Sequence, residues 1–282
     1  SCEMNYIKRN LEKIVIELSE QYPVILITGP RQVGKTTMLQ KLMEGTNRTY
    51  VSLDDLNNRA LAKSDPAMFF QIHETPILID EVQYAPELFT YIKIMVDKNR
   101  VPGEFWLTGS QMFKLMDGVQ ESLAGRVAVL NLSSLSQNEI YSSCENVPFT
   151  IDLEVLSERQ KCIETATTPE IFRRIFTGGM PAIVSGKYRE SNIFYSSYIS
   201  TYLERDVKEL SGTIDSLKFL KFITAVAART SQVVNYADIA QDADMNQVTV
   251  KKWLSILETL GIIFYLHPYS NNTLKRTIKT PK

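Results

Sequence analysis

The stretch ITGPRQVGKTT, Ile27 to Thr37, constrains the fold more than any other part of the chain. Gly29 is followed by four residues and then by Gly34-Lys35-Thr36. Glycines at these positions let the backbone turn tightly and aim successive N–H groups at phosphate oxygens, and a helix opening directly after the loop adds the positive end of its dipole. That geometry needs a buried strand before the loop and a helix behind it. PVILIT (23–28) is a continuous apolar run, as expected of a parallel strand covered on both faces, and MLQKLM (38–43) supplies the helix. Gly29, Pro30, Arg31, Gln32, Val33, Gly34, Lys35, Thr36 and Thr37 therefore form the expected nucleotide-binding loop. Lys35 brings a cation to the β and γ phosphates and Thr36 a hydroxyl to Mg²⁺. Arg31 and Gln32 fall at the loop apex, where they are expected to face solvent with no chemistry of their own. The expected cofactors are ATP and Mg²⁺.

The flanking pattern repeats the strand–helix alternation. Leu11, Ile14, Val15 and Leu18 recur at helical spacing, and TYVSLDD (49–55), PILID (76–80), EFWLTGS (104–110) and RVAVLNL (126–132) read as four more strands. Between them, LNNRALAKSD and AMFFQIHE read as helix broken at Pro66, and ELFTYIKIMVDKN (87–99) as an amphipathic helix. Such alternation implies βαβ units and a parallel sheet. After about Ser133 the pattern becomes mostly helical. Residues 189–210 predict a long helix whose stripe of Tyr195, Tyr198, Ile199, Tyr202 and Leu203 is expected to be core, and 216–231 predict another. The fold class is α/β, a parallel-sheet P-loop core at 1–150, a helical segment at 151–212 and a winged helix-turn-helix at 213–282.

In ILIDEVQ (77–83) a strand ends in Asp80-Glu81. An Asp at this position of a P-loop ATPase helps to hold Mg²⁺, usually through water, and the following Glu can act as general base on the attacking water. Phosphotransfer to a small molecule needs no such base, so the pair favours hydrolysis over kinase chemistry. The alternative is that both acids cap a helix. Ser110, at the end of the next strand, is placed between Glu81 and the γ-phosphate if it is not a helix N-cap. Arg126, just before the fifth strand, is a candidate to stabilise charge on the transferring phosphoryl group, from the same subunit or from a neighbour in a homo-oligomer; the alternative is a surface salt bridge. Arg205-Asp206 read as an ion pair or, less readily, as a nucleotide sensor.

In the C-terminal part, YADIAQ, the turn DADMN and QVTVKKWLSILETLG have helix-turn-helix character, with Gly261 as the stop and IIFYLHPY (262–269) as the strand of a wing. Val250, Trp253, Leu254 and Leu257 form the buried face. Gln247, Thr249, Lys251 and Lys252 are left exposed as candidate DNA contacts, although winged helices on ATPases also pack against proteins. From Ser211 onward the chain holds nine Lys/Arg against five Asp/Glu, while the whole chain carries a net charge of −1. Three scattered cysteines and two histidines give no metal-ligand spacing, and the thiols read as free ones in a reducing cytoplasm. No apolar run is long enough to span a bilayer, and no signal peptide is expected.

Taken together, GPRQVGKTT, LIDEVQYAPELF, LTGSQMFKLMDGVQESLAGR, SYISTYLERDV and NYADIA…VKKWLSILETLGIIFYLHPY resemble the prokaryotic AAA+-superfamily ATPases that carry a domain of unknown function 4143 at their C-terminus. The resemblance implies an AAA-like ATPase core, a winged helix and a restriction-nuclease-like third domain. It implies nucleotide and Mg²⁺ roles for Lys35, Thr36 and Asp80, the general base for Glu81, a sensor for Ser110 and an arginine finger for Arg126. The sequence stops at NNTLKRTIKTPK, before the third domain that the resemblance implies. The function expected is Mg²⁺-dependent ATP hydrolysis coupled to movement of the winged helix; the alternative is a nucleotide-gated switch with little turnover.

Overall fold

The structure is a computed structural model that describes residues 6–110, 112–142, 148–162, 165–269 and 280–282, with backbone only at 112–114. It comprises two compact units, residues 1–191 and 192–282.

The first unit is built on five strands, β1 (Val24–Thr28), β2 (Thr49–Ser52), β3 (Ile77–Asp80), β4 (Phe105–Gly109) and β5 (Val127–Asn131). They form one parallel sheet in the order β2-β3-β4-β1-β5. Alternate residues of the apolar strands serve opposite faces, as the two-residue period of a strand requires. Val24, Leu26, Ile77, Ile79, Phe105 and Leu107 join one buried cluster. Their neighbours Ile25, Ile27, Leu78 and Trp106 join another. The first face is covered by α3 (Leu56–Ser64), α4 (Pro66–Ile72) and α5 (Glu87–Lys98), and by the π-turn Val119–Leu123 that follows α6 (Met112–Gly118). The second is covered by α1 (Leu11–Ser19) and α2 (Lys35–Met43). Residues beyond β5 add α7 (Gln137–Tyr141), α8 (Leu153–Lys161), α9 (Thr168–Thr177) and α10 (Pro181–Val184).

Several boundaries differ from expectation for local reasons. β2 ends at Ser52 because Asp55 turns to cap α3, its carboxylate accepting from Asn58 N–H at 2.9 Å. Pro66 starts α4 rather than merely breaking a helix, since a first-turn residue needs no N–H partner, and Asp65 caps it by accepting from Met68 N–H at 2.9 Å.

In the second unit, α11 (Ser191–Tyr198) runs through a π-turn at Ile199–Leu203 into α12 (Glu204–Ser211), the long helix expected at 189–210. Of its aromatic stripe, Leu203 is buried, while Tyr195, Tyr198 and Tyr202 are half-buried. Arg205 and Asp206 form an ion pair at 3.8 Å. α13 (Ser216–Ala227), α14 (Tyr236–Ala243) and α15 (Gln247–Thr259) follow, and α15 ends as expected, with Gly261 at φ +72°. The strand expected over 262–269 is not formed. Among the described residues, Leu266 exchanges both backbone hydrogen bonds with Lys282, at 2.9 and 3.1 Å, which makes one antiparallel pair. Lys275, Arg276 and Lys279, three of the nine Lys/Arg counted from Ser211 onward, lie outside the described residues.

Because the sheet is parallel, every turn that follows a strand lies at its carboxyl edge, and the phosphate loop is one of these. Gly29 holds φ at +142°, and a Cβ there would come within 2.1 Å of the Leu132 carbonyl oxygen. Gly29→Ala therefore cannot be accommodated without moving β5's exit. Chemical denaturation is expected to show a loss of at least about 2 kcal/mol; a loss below about 0.5 kcal/mol, the level of an ordinary surface change, would contradict this packing.

Candidate nucleotide site

Four turns converge at the carboxyl edge. Gly34, at φ +94°, sits at the N-cap of α2, so the loop's last N–H groups point outward at a helix N-terminus. Thr36 on the first turn of α2 donates its hydroxyl to Asp80 Oδ1 at 2.5 Å. Thr108 of β4 donates to the same oxygen, and Tyr50 of β2 reaches Oδ2 at 3.3 Å. Asp80 is thus held by three elements. Thr36 and Asp80 bring hard oxygen donors together, a set suited to Mg²⁺.

Glu81 adopts φ 57° and ψ 47°, a left-handed conformation that costs a non-glycine residue about 1 kcal/mol or more. Its N–H donates to Thr108 Oγ1 at 3.1 Å. Its side chain makes no capping bond to the short turn Val82–Tyr84, so the helix-cap alternative does not hold for it. Oε2 instead accepts from Ser110 Oγ at 3.0 Å and from the Gln83 amide.

Lys35 is buried, and its ammonium donates to the carbonyls of Gly29 at 3.0 Å and Pro30 at 2.8 Å. Burial pushes it down to about 8, with Glu81 and Asp80 acting in the opposite direction. Arg31 is half-buried; Gln32 is exposed at φ +62° and lines the pocket.

The loop opens onto a cavity of about 350 Å³ that also borders Gly34, Lys35, Thr36, Thr37 and Glu81. Its far walls are Tyr6, Ile7 and Arg9 from the N-terminal segment, Leu135, and Pro181, Ala182, Ser185, Lys187 and Tyr188 around α10. None of these wall residues was expected from sequence, because they come from segments more than a hundred residues apart and carry no spacing signal. Arg9 braces the loop. Its guanidinium donates to Val33 O at 2.7 Å and Ser133 O at 2.6 Å, and pairs with Glu139 at 3.2 Å. Both partners are buried, and Glu139 also completes a capping box with Ser136.

Arg126 is not brought to this site. It precedes β5, and its carbonyl accepts from Val24 N–H at the start of β1, at the amino edge of the sheet. The whole of β1, roughly 16 Å of strand, separates it from its own loop. Its guanidinium makes a two-pronged pair with Asp97, at 2.7 and 2.9 Å, which holds the Asp97 carboxyl below the usual range. In this structure Arg126 lies at the opposite edge of the sheet from its own chain's loop. In the second unit, Gln247, Lys251 and Lys252 are exposed and Thr249 is half-buried on α15. Lys252 reaches Ser211 O at 3.3 Å, and Lys251 lies 5.0 Å from the Tyr236 ring centroid. Among the described residues there is no group of acids, histidines and cysteines able to hold a metal ion, and no helix is long and apolar enough to cross a membrane.

The buried Lys35 ammonium makes a prediction with a definite sign. Its value near 8 lies below the ordinary 10.5, so the folded chain holds fewer protons than the unfolded one between these values. The cost of burying the charge is full below pH 8 and fades as pH rises toward 10.5. It amounts to roughly 3 kcal/mol. Lys35→Met is expected to abolish nucleotide binding, and its melting temperature relative to the nucleotide-free parent to fall as pH rises from 7 to 10, because the parent sheds the burial cost over that range. A difference that does not change with pH would refute the desolvation.

Residues 21–141 match the AAA domain family, and residues 168–282 match a family described as domain of unknown function 8612. Uncharacterized proteins of Mycobacterium bovis and Mycobacterium tuberculosis are each 29% identical over 262 residues, covering 92% of this chain and 53% of their own length. The chain thus spans about half the length of these curated relatives. Among solved structures, the Walker-type ATPase PABY2304 of Pyrococcus abyssi superposes with a TM-score of 0.59 at 16% identity, covering 99% of this chain and 94% of that one. At that identity the likeness is one of fold. Residues 21–141 have the fold of a P-loop ATPase and resemble the AAA domain family.

Proposed function

We propose that this chain binds ATP with Mg²⁺ and hydrolyses it, and that the second unit responds to the nucleotide. The observation that carries the reading is Glu81, whose carboxylate stands in the wall of the loop's cavity beside Lys35 and Thr36, while its neighbour Asp80 is bonded to Thr36. The phosphates take the loop N–H groups and Lys35, and the cavity walls around Tyr6, Ile7, Pro181 and Tyr188 take the nucleoside. Thr36 and Asp80 would hold Mg²⁺, whose chemistry is to neutralise phosphate charge. Glu81 accepts a proton from water as the water oxygen bonds to the γ-phosphorus, the bond from phosphorus to the β–γ bridging oxygen breaks, and ADP and phosphate leave. Ser110 offers its hydroxyl to the transferred phosphoryl group.

Arg126 belongs in this reading as a group supplied to a neighbouring copy. The pair lies at the surface, with Asp97 exposed and Arg126 partly buried, so a neighbouring copy could reach the guanidinium. The second unit is proposed as a winged helix, α14 and α15 forming the helix-turn-helix and the Leu266–Lys282 pair the root of the wing. Gln247, Thr249, Lys251 and Lys252 are the residues it offers to DNA. The likeness to ATPases that carry domain of unknown function 4143 belongs to the same proposal; the greater length of the curated relatives accommodates a further domain.

Glu81→Gln is expected to retain ATP within about threefold of the parent affinity and to lose turnover by a factor of about 10² or more, measured by phosphate release. Turnover that survives in this variant would remove Glu81 from its role. Turnover per subunit is expected to rise with protein concentration and to lose that rise in Arg126→Ala; a flat rate in the parent would count against action between subunits. For DNA, Lys251→Ala with Lys252→Ala should flatten the slope of log affinity against log salt by about two. An unaltered slope would take those lysines off the phosphates.

A further inference from the structure

We propose that Gln83 is a positioning residue that fixes which oxygen of Glu81 meets the attacking water; the inference rests on the ATPase reading. Glu81 Oε2 is the common acceptor of two donors, the Gln83 amide and the Ser110 hydroxyl. The amide nitrogen also lies 3.4 Å from Ser110 Oγ, which closes a triangle of side chains. Gln83 is only 4% exposed, and its own Oε1 is a buried acceptor with no partner.

That orphan oxygen explains the arrangement. Turning the amide over would set a carbonyl oxygen against the Glu81 carboxylate. The N–H edge is therefore held toward Glu81, and the unpartnered carbonyl is the consequence. Space for that carbonyl is made by Gly109, where a Cβ would lie 3.0 Å from it and 2.3 Å from Leu115 Cδ1. The backbone between the two residues is equally fixed. Glu81 N–H is tied to Thr108, the intervening Val82 is fully buried, and Tyr84 N–H closes the turn on Glu81 O at 3.1 Å.

With Oε2 taken twice, Oε1 is the oxygen left for the water proton. Ser110 has one proton to donate. When its hydroxyl turns to a phosphoryl oxygen, Gln83 remains as the donor that keeps the carboxylate from rotating. Gln83 thus acts through Glu81 and touches neither phosphate nor water.

The test uses Gln83→Met and Gln83→Leu, which fill the volume without a donor. Each is expected to lower kcat about tenfold or more, with the ATP dissociation constant and melting temperature within error of the parent. In a Glu81→Gln background, Gln83→Met should slow single-turnover hydrolysis no further. The inference is overturned if either folded variant keeps kcat within twofold, if ATP affinity falls in parallel with kcat, or if the background variant slows again. Hydrolysis absent from the parent chain would instead overturn the ATPase reading on which the inference stands.

Discussion

The carboxylate of Asp80 is the joint on which the site depends. It is nearly buried, and a buried acceptor must be satisfied by the protein. The donors come from three directions: Thr36 from the helix behind the loop, Thr108 from β4 and Tyr50 from β2. One side chain on β3 therefore fixes the loop's helix against the two strands that flank β3 in the sheet. The same Thr108 hydroxyl receives the N–H of Glu81, which carries the registration one residue further to the proposed base. Tyr50's hydroxyl is pushed up to about 12, first by burial and then by Asp80, so it stays a donor throughout the physiological range.

A second brace acts from the other side of the loop. Arg9 and Glu139 are a buried ion pair, an arrangement whose desolvation cost is recovered only when the remaining hydrogen-bonding positions are filled. Here backbone fills most of them: Arg9 serves Val33 O and Ser133 O, and Glu139 receives Asn10 N–H at 2.8 Å and Ser136 N–H at 2.9 Å, while Arg9 Nε, 3.2 Å from Glu139, makes no hydrogen bond among the described residues. The N-terminal segment, the loop and the exit of β5 are thereby joined, and that segment also forms a wall of the cavity.

How much of this was legible in the sequence follows from the range of each interaction. The strands were legible because apolar runs and turn residues are local, and the loop because its spacing encodes backbone geometry. Asp80, Glu81 and Ser110 were legible because each ends a strand. Arg9, Tyr50 and the walls around Tyr6 and Tyr188 were not, since their partners lie tens to well over a hundred residues away and nothing in the neighbouring residues distinguishes them. Gln83 stood in plain view two residues after Glu81, but its role depends on a three-dimensional triangle with Ser110. The expected wing strand shows the opposite failure: an apolar run is strand-like by composition, yet a strand exists only where a partner supplies a ladder.

Arg126 had a readable signal that its neighbours obscured. Lys35, Thr36, Asp80, Glu81 and Ser110 lie at or beyond the carboxyl end of a strand, whereas Arg126 precedes one, and in a parallel sheet those two positions lie at opposite edges. Motif order alone groups Arg126 with Ser110; strand polarity separates them. The consequence reaches the mechanism. A group at the amino edge stands away from its own chain's loop, and the service proposed for Arg126 is to a neighbouring copy. In the proposed mechanism Lys35, Thr36, Asp80, Glu81 and Gln83 of one chain hold the nucleotide and orient water, and Arg126 of a neighbouring copy completes the charge stabilisation. On that proposal, slow turnover in isolation and faster turnover in an assembly would both follow from one piece of topology, and the choice between hydrolytic engine and nucleotide-held switch would turn on how often Arg126 finds a neighbour.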